Sequence, residues 1–339
     1  MSVVVDGSNG LIFNDASTQT TAATGFGFKN RIINGAMMID QRNAGASVTW
    51  GSGSWTFAVD RFQGKAETGS GHTMQQSNTA PTGFARSLLF TVGTGGSPSA
   101  GNTNSCYQGI EGLNLADMAF GTATASAFTL SFWVKSSVTG TFSGAIANGT
   151  QDRSYPFTYT ISTTGWEQKY VTIAGDTSGT WGTTNAAGML VWFDWGNGSN
   201  YRTTAGAWAT GDYRGATGAV NLIATSGATC YITGVQLEKG STKTDFDYRS
   251  YGHELGLCYR YYFKQSPFTD AIYMCTYTGS GSMTYIYWGT PMRATPTVTA
   301  IRTDTSASIS TYPTLTGATL YTASTGVAAA SSVTATAEL

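Results

Sequence analysis

The sequence predicts an all-β protein: a jelly-roll β-sandwich with an N-terminal arm before it and a smaller C-terminal β-domain after it. Three observations carry that expectation. Charged residues make up 11% of the 339, against about 25% in an average soluble domain. Polarity is carried instead by Thr, Ser, Asn and 43 Gly, and aromatics reach 13%. Thr and aromatic side chains suit a pleated surface, and Gly supplies the positive φ that tight turns need. Finally, apolar residues recur with period two, and helical periodicity is nearly absent.

The elements follow in order. Residues 1–28 are small and polar apart from two apolar knots, Val3-Val4-Val5 and Leu11-Ile12-Phe13. Such a segment buries no core alone and reads as an arm that orders against a partner. Residues 29–257 form a series of short alternating segments. Phe128, Leu130, Phe132 and Val134 fall on one face of a strand, as do Phe157, Tyr159 and Ile161. Met189 to Trp195 is apolar on both faces except at Asp194, the pattern of a central sandwich strand. At Gly234 the apolar phase slips between Ile232 and Val235, which predicts a bulge. Short helical stretches are expected only at Gly112–Phe120 and Ser250–Cys258. Residues 258–339 return to strands, a C-terminal β-sandwich with segments at Ala271–Tyr277, Met283–Trp288 and Val298–Ile301; Pro291 and Pro296 fall between them, where a missing N–H harms no ladder.

Composition excludes several functions. A net charge of -1 offers no field to steer nucleic acid, and no segment approaches the roughly 18 apolar residues that span a bilayer. Residues 1–16 lack a basic region followed by an apolar one, so synthesis in a cytoplasm is expected. Cys106, Cys230, Cys258 and Cys275 show no metal spacing and read as buried thiols.

Catalysis finds little footing. There are two histidines, His72 and His253, and no nucleophile elbow, phosphate-binding loop or HExxH. The expectation is no enzyme and no catalytic residue. Glycan cleavage by paired carboxylates is the enzymatic alternative, with Asp60 and Glu67, Glu111 and Asp117, or Asp194 as candidates. Asp194 lies among aromatic residues, and three roles stay open there: sugar binding, core, or catalysis. The stretch from Trp181 to Tyr213 combines flat apolar faces with Asn-rich loops, a pairing suited to saccharides. The candidate glycan-binding residues are Trp192, Asp194, Trp195, Tyr201, Trp208 and Tyr213.

A longer pattern joins the two ends of this region. Asn30-Arg31-Ile32-Ile33-Asn34-Gly35-Ala36-Met37-Met38-Ile39-Asp40-Gln41-Arg42 is followed by Val59-Asp60-Arg61-Phe62. Much later come Val235-Gln236-Leu237-Glu238-Lys239-Gly240, then Thr244, Phe246, Arg249, Glu254-Leu255, Cys258 and Arg260-Tyr261-Tyr262. This arrangement resembles a bacteriophage tail-fibre module, and Phe128 to Lys135 resembles a strand of carbohydrate-binding-module-like jelly rolls. The resemblance covers roughly residues 1–262 and is specific at its ends. It implies a homotrimeric virion protein, a tail-fibre subunit made in the host cytoplasm. Its N-terminal arm would dock on other virion or baseplate proteins, and its jelly roll would bind host surface polysaccharide for adsorption. The alternative is a structural adaptor or head-fibre decoration without glycan binding. Related jelly rolls often hold a structural Ca²⁺; the acids near the ends of the module here are Asp60, Glu67 and Glu238. The four arginines Arg31, Arg42, Arg61 and Arg249 suit bidentate carboxylate partners, with Glu238, Asp60 or Asp247 as the expected partners where strands close the sandwich.

Overall fold

The structure, a computed structural model, describes residues 28–51, 53–265, 272–277, 281–302, 308–323 and 328–339, and the backbone of three short strands before them. Those strands, β1 (Val4–Asp6), β2 (Gly10–Ile12) and β3 (Thr18–Gln19), form an antiparallel sheet of their own, with Val4 opposite Ile12 and Val5 opposite Leu11. Apart from Phe28, the rest of the expected arm lies outside the described residues.

The sandwich opens with β4 (Val48–Trp50), β5 (Thr56–Val59), β6 (Phe62–Ala66), β7 (His72–Ser77) and β8 (Ser87–Thr91). It continues through β9 (Asn104–Glu111), β10 (Phe128–Ser136), β11 (Gly140–Asn148), β12 (Arg153–Ile161) and β13 (Glu167–Ile173). It closes with β14 (Ala187–Asp194), β15 (Arg202–Thr203), β16 (Ala209–Thr210), β17 (Gly215–Ala216) and β18 (Thr229–Lys239). One sheet has the order β13-β10-β18-β8-β7-β4 and the other β16-β12-β11-β14-β9-β6-β5, all pairs antiparallel. Between them lies one continuous core. The alternation of β10 puts Phe128, Leu130, Phe132 and Val134 into it, and Phe132 meets Tyr159 and Phe193 edge-on at 5.0 and 5.1 Å. The doubly apolar β14 sits in mid-sheet between β11 and β9, where both of its faces lose water.

The bulge falls where the apolar phase slips. In β18 the pairing jumps from Thr233 opposite Trp133 to Gln236 opposite Ser131, with Gly234 at φ +60°. The backbone groups this frees take partners from the segment before the sandwich. Val235 N–H donates to Gly35 O at 2.9 Å, and Asn30 Nδ2 donates to Val235 O at 3.2 Å. Asn30 Oδ1 accepts from the Leu237 and Ile32 amides. The two end motifs of the sequence are therefore one structural seam.

Helix α1 (Tyr251–Tyr259) follows a Ser250 N-cap, and Gly112–Asn114 and Ala116–Met118 form single 3₁₀ turns. The remaining strands are β19 (Tyr262–Gln265), β20 (Ile272–Tyr277), β21 (Gly281–Tyr287), β22 (Thr297–Arg302), β23 (Ser310–Pro313), β24 (Gly317–Thr322) and β25 (Ala328–Thr336). Here β25 takes β22 on one edge and β19 then β20 on the other, and β20-β21-β24-β23 continue the order. A second core gathers Met274, Ile286, Trp288, Met292, Leu320 and Val333.

The two bodies are joined by buried charge. Glu338 pairs with Arg42 at 2.9 Å and also with Arg61. Arg42 is sandwiched between the rings of Phe57 and Tyr262, at 4.1 and 3.6 Å. Arg260 grips Glu111 with two hydrogen bonds of 2.7 Å. Of the four arginines, only Arg42 meets an expected acid, Asp60, at 3.6 Å. Arg31 pairs with Asp117, Arg249 with Glu254 and Arg61 with Glu338. Arg31, Arg42 and Arg61 meet acids far along the chain, where spacing carries no information, whereas Arg249 and Glu254 are five residues apart.

Candidate functional site

The outward face of the seven-stranded sheet is built from rows of side chains that cross the strands. One row runs Gln63, Tyr107, Trp192, Ala145 and Pro156; the next runs Lys65, Ser105, Asp194, Ser143 and Thr158. Strand alternation explains the division: Val191 and Phe193 enter the main core, while Leu190 and Trp192 turn outward with Ala145 and Ala147. Trp55 and Tyr107 pack on this outward cluster. Trp55 meets Tyr107 edge-on at 5.0 Å and Trp192 at 5.6 Å, and Tyr107 lies 4.3 Å from Trp192.

The segment from Tyr201 to Ala216 folds back across part of this face. Gly206 N–H donates to Pro156 O, Tyr213 N–H to Ser154 Oγ, and Ala216 N–H to Ser143 Oγ. Asp194 anchors the fold-back and is fully buried. It accepts from Ser143 Oγ, the Gly196 and Asn197 amides and Arg202 Nε, all at 2.8 Å, with a further bond from Arg202. At the rim, the Arg214 guanidinium lies over Trp192 at 4.8 Å and Tyr201 at 4.1 Å, and makes a fork with Asp212. Two buried polar atoms here have no hydrogen-bond partner among the described residues, the Trp192 indole N–H and Ser105 Oγ.

These positions correct the sequence-based expectation in part. Asp194 is a clamp whose oxygens are already taken by the fold-back, so neither sugar binding nor catalysis is open to it. Trp195 points into the opposite side of the sheet, stacked on Phe90 at 4.3 Å and 6° and beside Trp50. It belongs to the core. Trp192 is on the right face but 1% exposed, roofed by Trp55, Tyr107 and Arg214. Tyr201, Trp208 and Tyr213 are half-buried. Tyr201 joins the rim through Arg214. Trp208 stands elsewhere, edge-on to Tyr155 and Trp181, with its indole N–H on Ala174 O at 2.8 Å. Trp55, Tyr107 and Arg214 went unread in the sequence. The signal for Tyr107 was the alternation of Asn104–Glu111, whereas Trp55 and Arg214 lie just outside strands where no periodicity marks them, and only the register shows that Tyr107 stands opposite Trp192.

The carboxylates do not pair for hydrolysis. Glu111 faces Arg260, Asp117 faces Arg31 and Lys239, and Glu67 faces Lys65. Burial pushes the Asp60 carboxyl up to about 6, a value that would suit a general acid. That group is 1% exposed and held by Gln41 and Arg42, out of reach of a substrate. His72 is buried, its Nε2 bonded to Thr68 O at 2.6 Å while Nδ1 accepts from Gly93 N–H. Cys106, Cys230 and Cys258 are buried free thiols; the Cys275 side chain lies outside the described residues. For calcium, the acids do not fit a shell. Asp60 faces Arg42, Glu67 faces Lys65, and Glu238 accepts from Thr244 and Gln236. Among the described residues, no three His, Cys, Asp or Glu side chains converge. Among them, too, no helix is long and apolar enough to cross a membrane.

No family model matches the chain, and no curated protein matches it. Solved structures do. The chain is similar to the enzymatically active domain of bacteriophage CBA120 tailspike protein 4, at 14% identity over 62% of this chain, with a TM-score of 0.32. It spans about a fifth of that domain's length, 21%. It is also similar to a CBM4 structure, at 15% identity over 61% of this chain and 98% of that one, with a TM-score of 0.31. The N-terminal cellulose-binding domain of Cellulomonas fimi β-1,4-glucanase C matches at 14% identity over 58% and 91% of the two chains, with a TM-score of 0.28. Scores this low are a likeness and carry no argument about function.

Proposed function

We propose that the chain is a non-catalytic, glycan-binding subunit of a bacteriophage appendage, a tail-fibre protein that attaches the particle to host surface polysaccharide. The carrying observation is the aromatic rim on the outward sheet face: half-buried Trp55 and Tyr107 over Trp192, closed on one side by Arg214 and Tyr201. Flat rings there offer stacking surface to a pyranose. The separate pairing of each candidate carboxylate with a cation supports a binding role over cleavage.

In this reading the subunit is a homotrimer in the virion and the arm docks on other virion proteins. The test is binding of the purified chain to host cells and to extracted polysaccharide. Trp55→Ala is expected to weaken binding about tenfold, and Trp208→Ala to leave it intact. Absence of binding from the folded wild type would move the role to a structural decoration. Release of new reducing ends would make it a depolymerase, and a monomer or dimer mass by light scattering would count against the trimer.

A further inference from the structure

The outer edge of β7 lies beside an arginine that the fold does not use. Strand β4 pairs with β7 from His72 to Met74. From Gln75 onward that edge has no strand beside it among the described residues, and a cavity of about 370 Å³ opens there. Gln75, Gln76, Ser77 and Asn78 line one side, the turn at Ala44 and Gly45 another, and Arg86, just before β8, the third. Ser77 stands opposite Ser87 in the β7–β8 pair, which puts Asn78 and Arg86 at the same end of the hairpin. The Arg86 backbone is held, its carbonyl accepting from Thr233 Oγ1 at 2.7 Å, and Gln76 Nε2 donates to Met37 O at 2.6 Å. The Arg86 guanidinium is not held. Every other described arginine side chain pairs with an acid, except Arg293, which donates to the Asn185, Ala337 and Glu338 carbonyls. Half-buried Arg86 has no side-chain partner among the described residues, and neither have the Gln75 and Asn78 amides. No acid lines the cavity. The acid of the neighbouring turn, Asp40, spends its two oxygens on the Asn43 and Gly45 amides, at 2.9 and 2.7 Å.

We propose that this cavity is an oxyanion site, which takes a carboxylate or phosphate group on the Arg86 guanidinium with the Gln75 and Asn78 amides beside it. A guanidinium presents N–H donors in a flat fork and no acceptor, which matches the paired oxygens of such a group and repels a cation. Hydrogen bonds to a charged partner are roughly twice as strong as neutral ones, so a neutral hydroxyl answers the guanidinium less well than a carboxylate does. The net charge of -1 supplies no long-range attraction for anions, so the selectivity is made locally. The group arrives as a free ion or as a substituent of a polysaccharide. Only the second source rests on the reading above, and the cavity belongs to the six-stranded sheet, not to the sheet that carries the aromatic rim.

The experiment titrates the full, isotopically labelled chain with inorganic phosphate and with acetate, ionic strength being held constant with chloride so that screening does not vary. The side-chain amide resonances of Gln75 and Asn78 are the reporters. They are expected to shift saturably with either oxyanion and to ignore chloride. Arg86→Gln is expected to weaken the response about tenfold, and Arg86→Lys, which keeps the charge but not the fork, about threefold. Both variants should keep the wild-type melting temperature, because the guanidinium holds no other group of the fold. Shifts that rise without saturating, that chloride reproduces, or that survive in Arg86→Gln overturn the proposal. So does a lowered melting temperature in Arg86→Gln, which would give the guanidinium a structural role. Immobilised polygalacturonate and its carboxyl-reduced, neutral form separate the two sources. A loss of about tenfold in Arg86→Gln on polygalacturonate alone supports the site with a polysaccharide substituent as its ligand. Saturable ion binding with neither polymer retained supports it as a site for free ions, whatever becomes of the carbohydrate reading.

Discussion

At the scale of single residues, burial decides what a polar side chain is for. Asp194 has no exposure and its cation is Arg202, 8% exposed. Removing the guanidinium leaves a buried carboxylate without its charge partner, which typically costs about 3–5 kcal/mol. Arg202→Leu is therefore expected to lower the melting temperature sharply, measured by calorimetry, even though Arg202 touches no ligand in the reading above. Asp60 makes the opposite kind of prediction. Burial raises its carboxyl from 3.8 to about 6, so between those values the folded chain binds more protons than the unfolded one. Stability must then fall as pH rises through that window, by on the order of 3 kcal/mol for this group alone. Urea unfolding between pH 4 and 7 should show a smaller loss in Asp60→Asn than in wild type. An equal loss in both would mean that the group is not held in this way.

At the scale of elements, the bulge in β18 shows how a strand defect becomes a binding surface for the chain itself. Gly234 takes the positive φ, and a Cβ there would meet the Phe84 ring at 2.7 Å. Gly35 approaches so closely that a Cβ would lie 2.1 Å from Val235 O. Each glycine serves one seam, between the segment 30–35 and the closing strand. Gly234→Ala and Gly35→Ala should each cost roughly 1–3 kcal/mol, read from chemical denaturation. The double variant should cost less than the sum, because both break the same contact. The residue just after β14 behaves more simply: Trp195→Ala removes the ring stacked on Phe90, leaves a cavity in the core and is expected to cost about 3–5 kcal/mol.

At the scale of the whole molecule, the small domain is fastened to the sandwich by its last strand's continuation. Glu338 sits between Arg42 and Arg61, Arg293 donates to the Ala337 and Glu338 carbonyls, and Gln63 donates to the Leu339 backbone oxygen at 3.1 Å. Arg61 is 2% exposed. Glu338→Ala leaves two arginines facing each other without their shared acid, and a stabilising loss of about 3–5 kcal/mol is expected. Two separate transitions in calorimetry would replace one if the latch couples the bodies. A single transition at the wild-type temperature would show that the latch contributes nothing.

The sequence by itself determined the class and much of the layout. Low charge, Thr and Gly wrote the all-β architecture, period two wrote the inward face of β10, and the break at Gly234 wrote the bulge. These are local properties, set by propensity and by the alternation of a pleated strand. Tertiary structure alone decided the rest. Alternation puts Trp192 and Trp195 on opposite faces, but which face is the core is set only by the sheet that packs against β14. That Arg61 meets Glu338 and that Tyr107 stands beside Trp192 depend on contacts between segments far apart in the chain. Register is fixed by the packing of both sheet faces at once, and no segment of the chain holds that information alone.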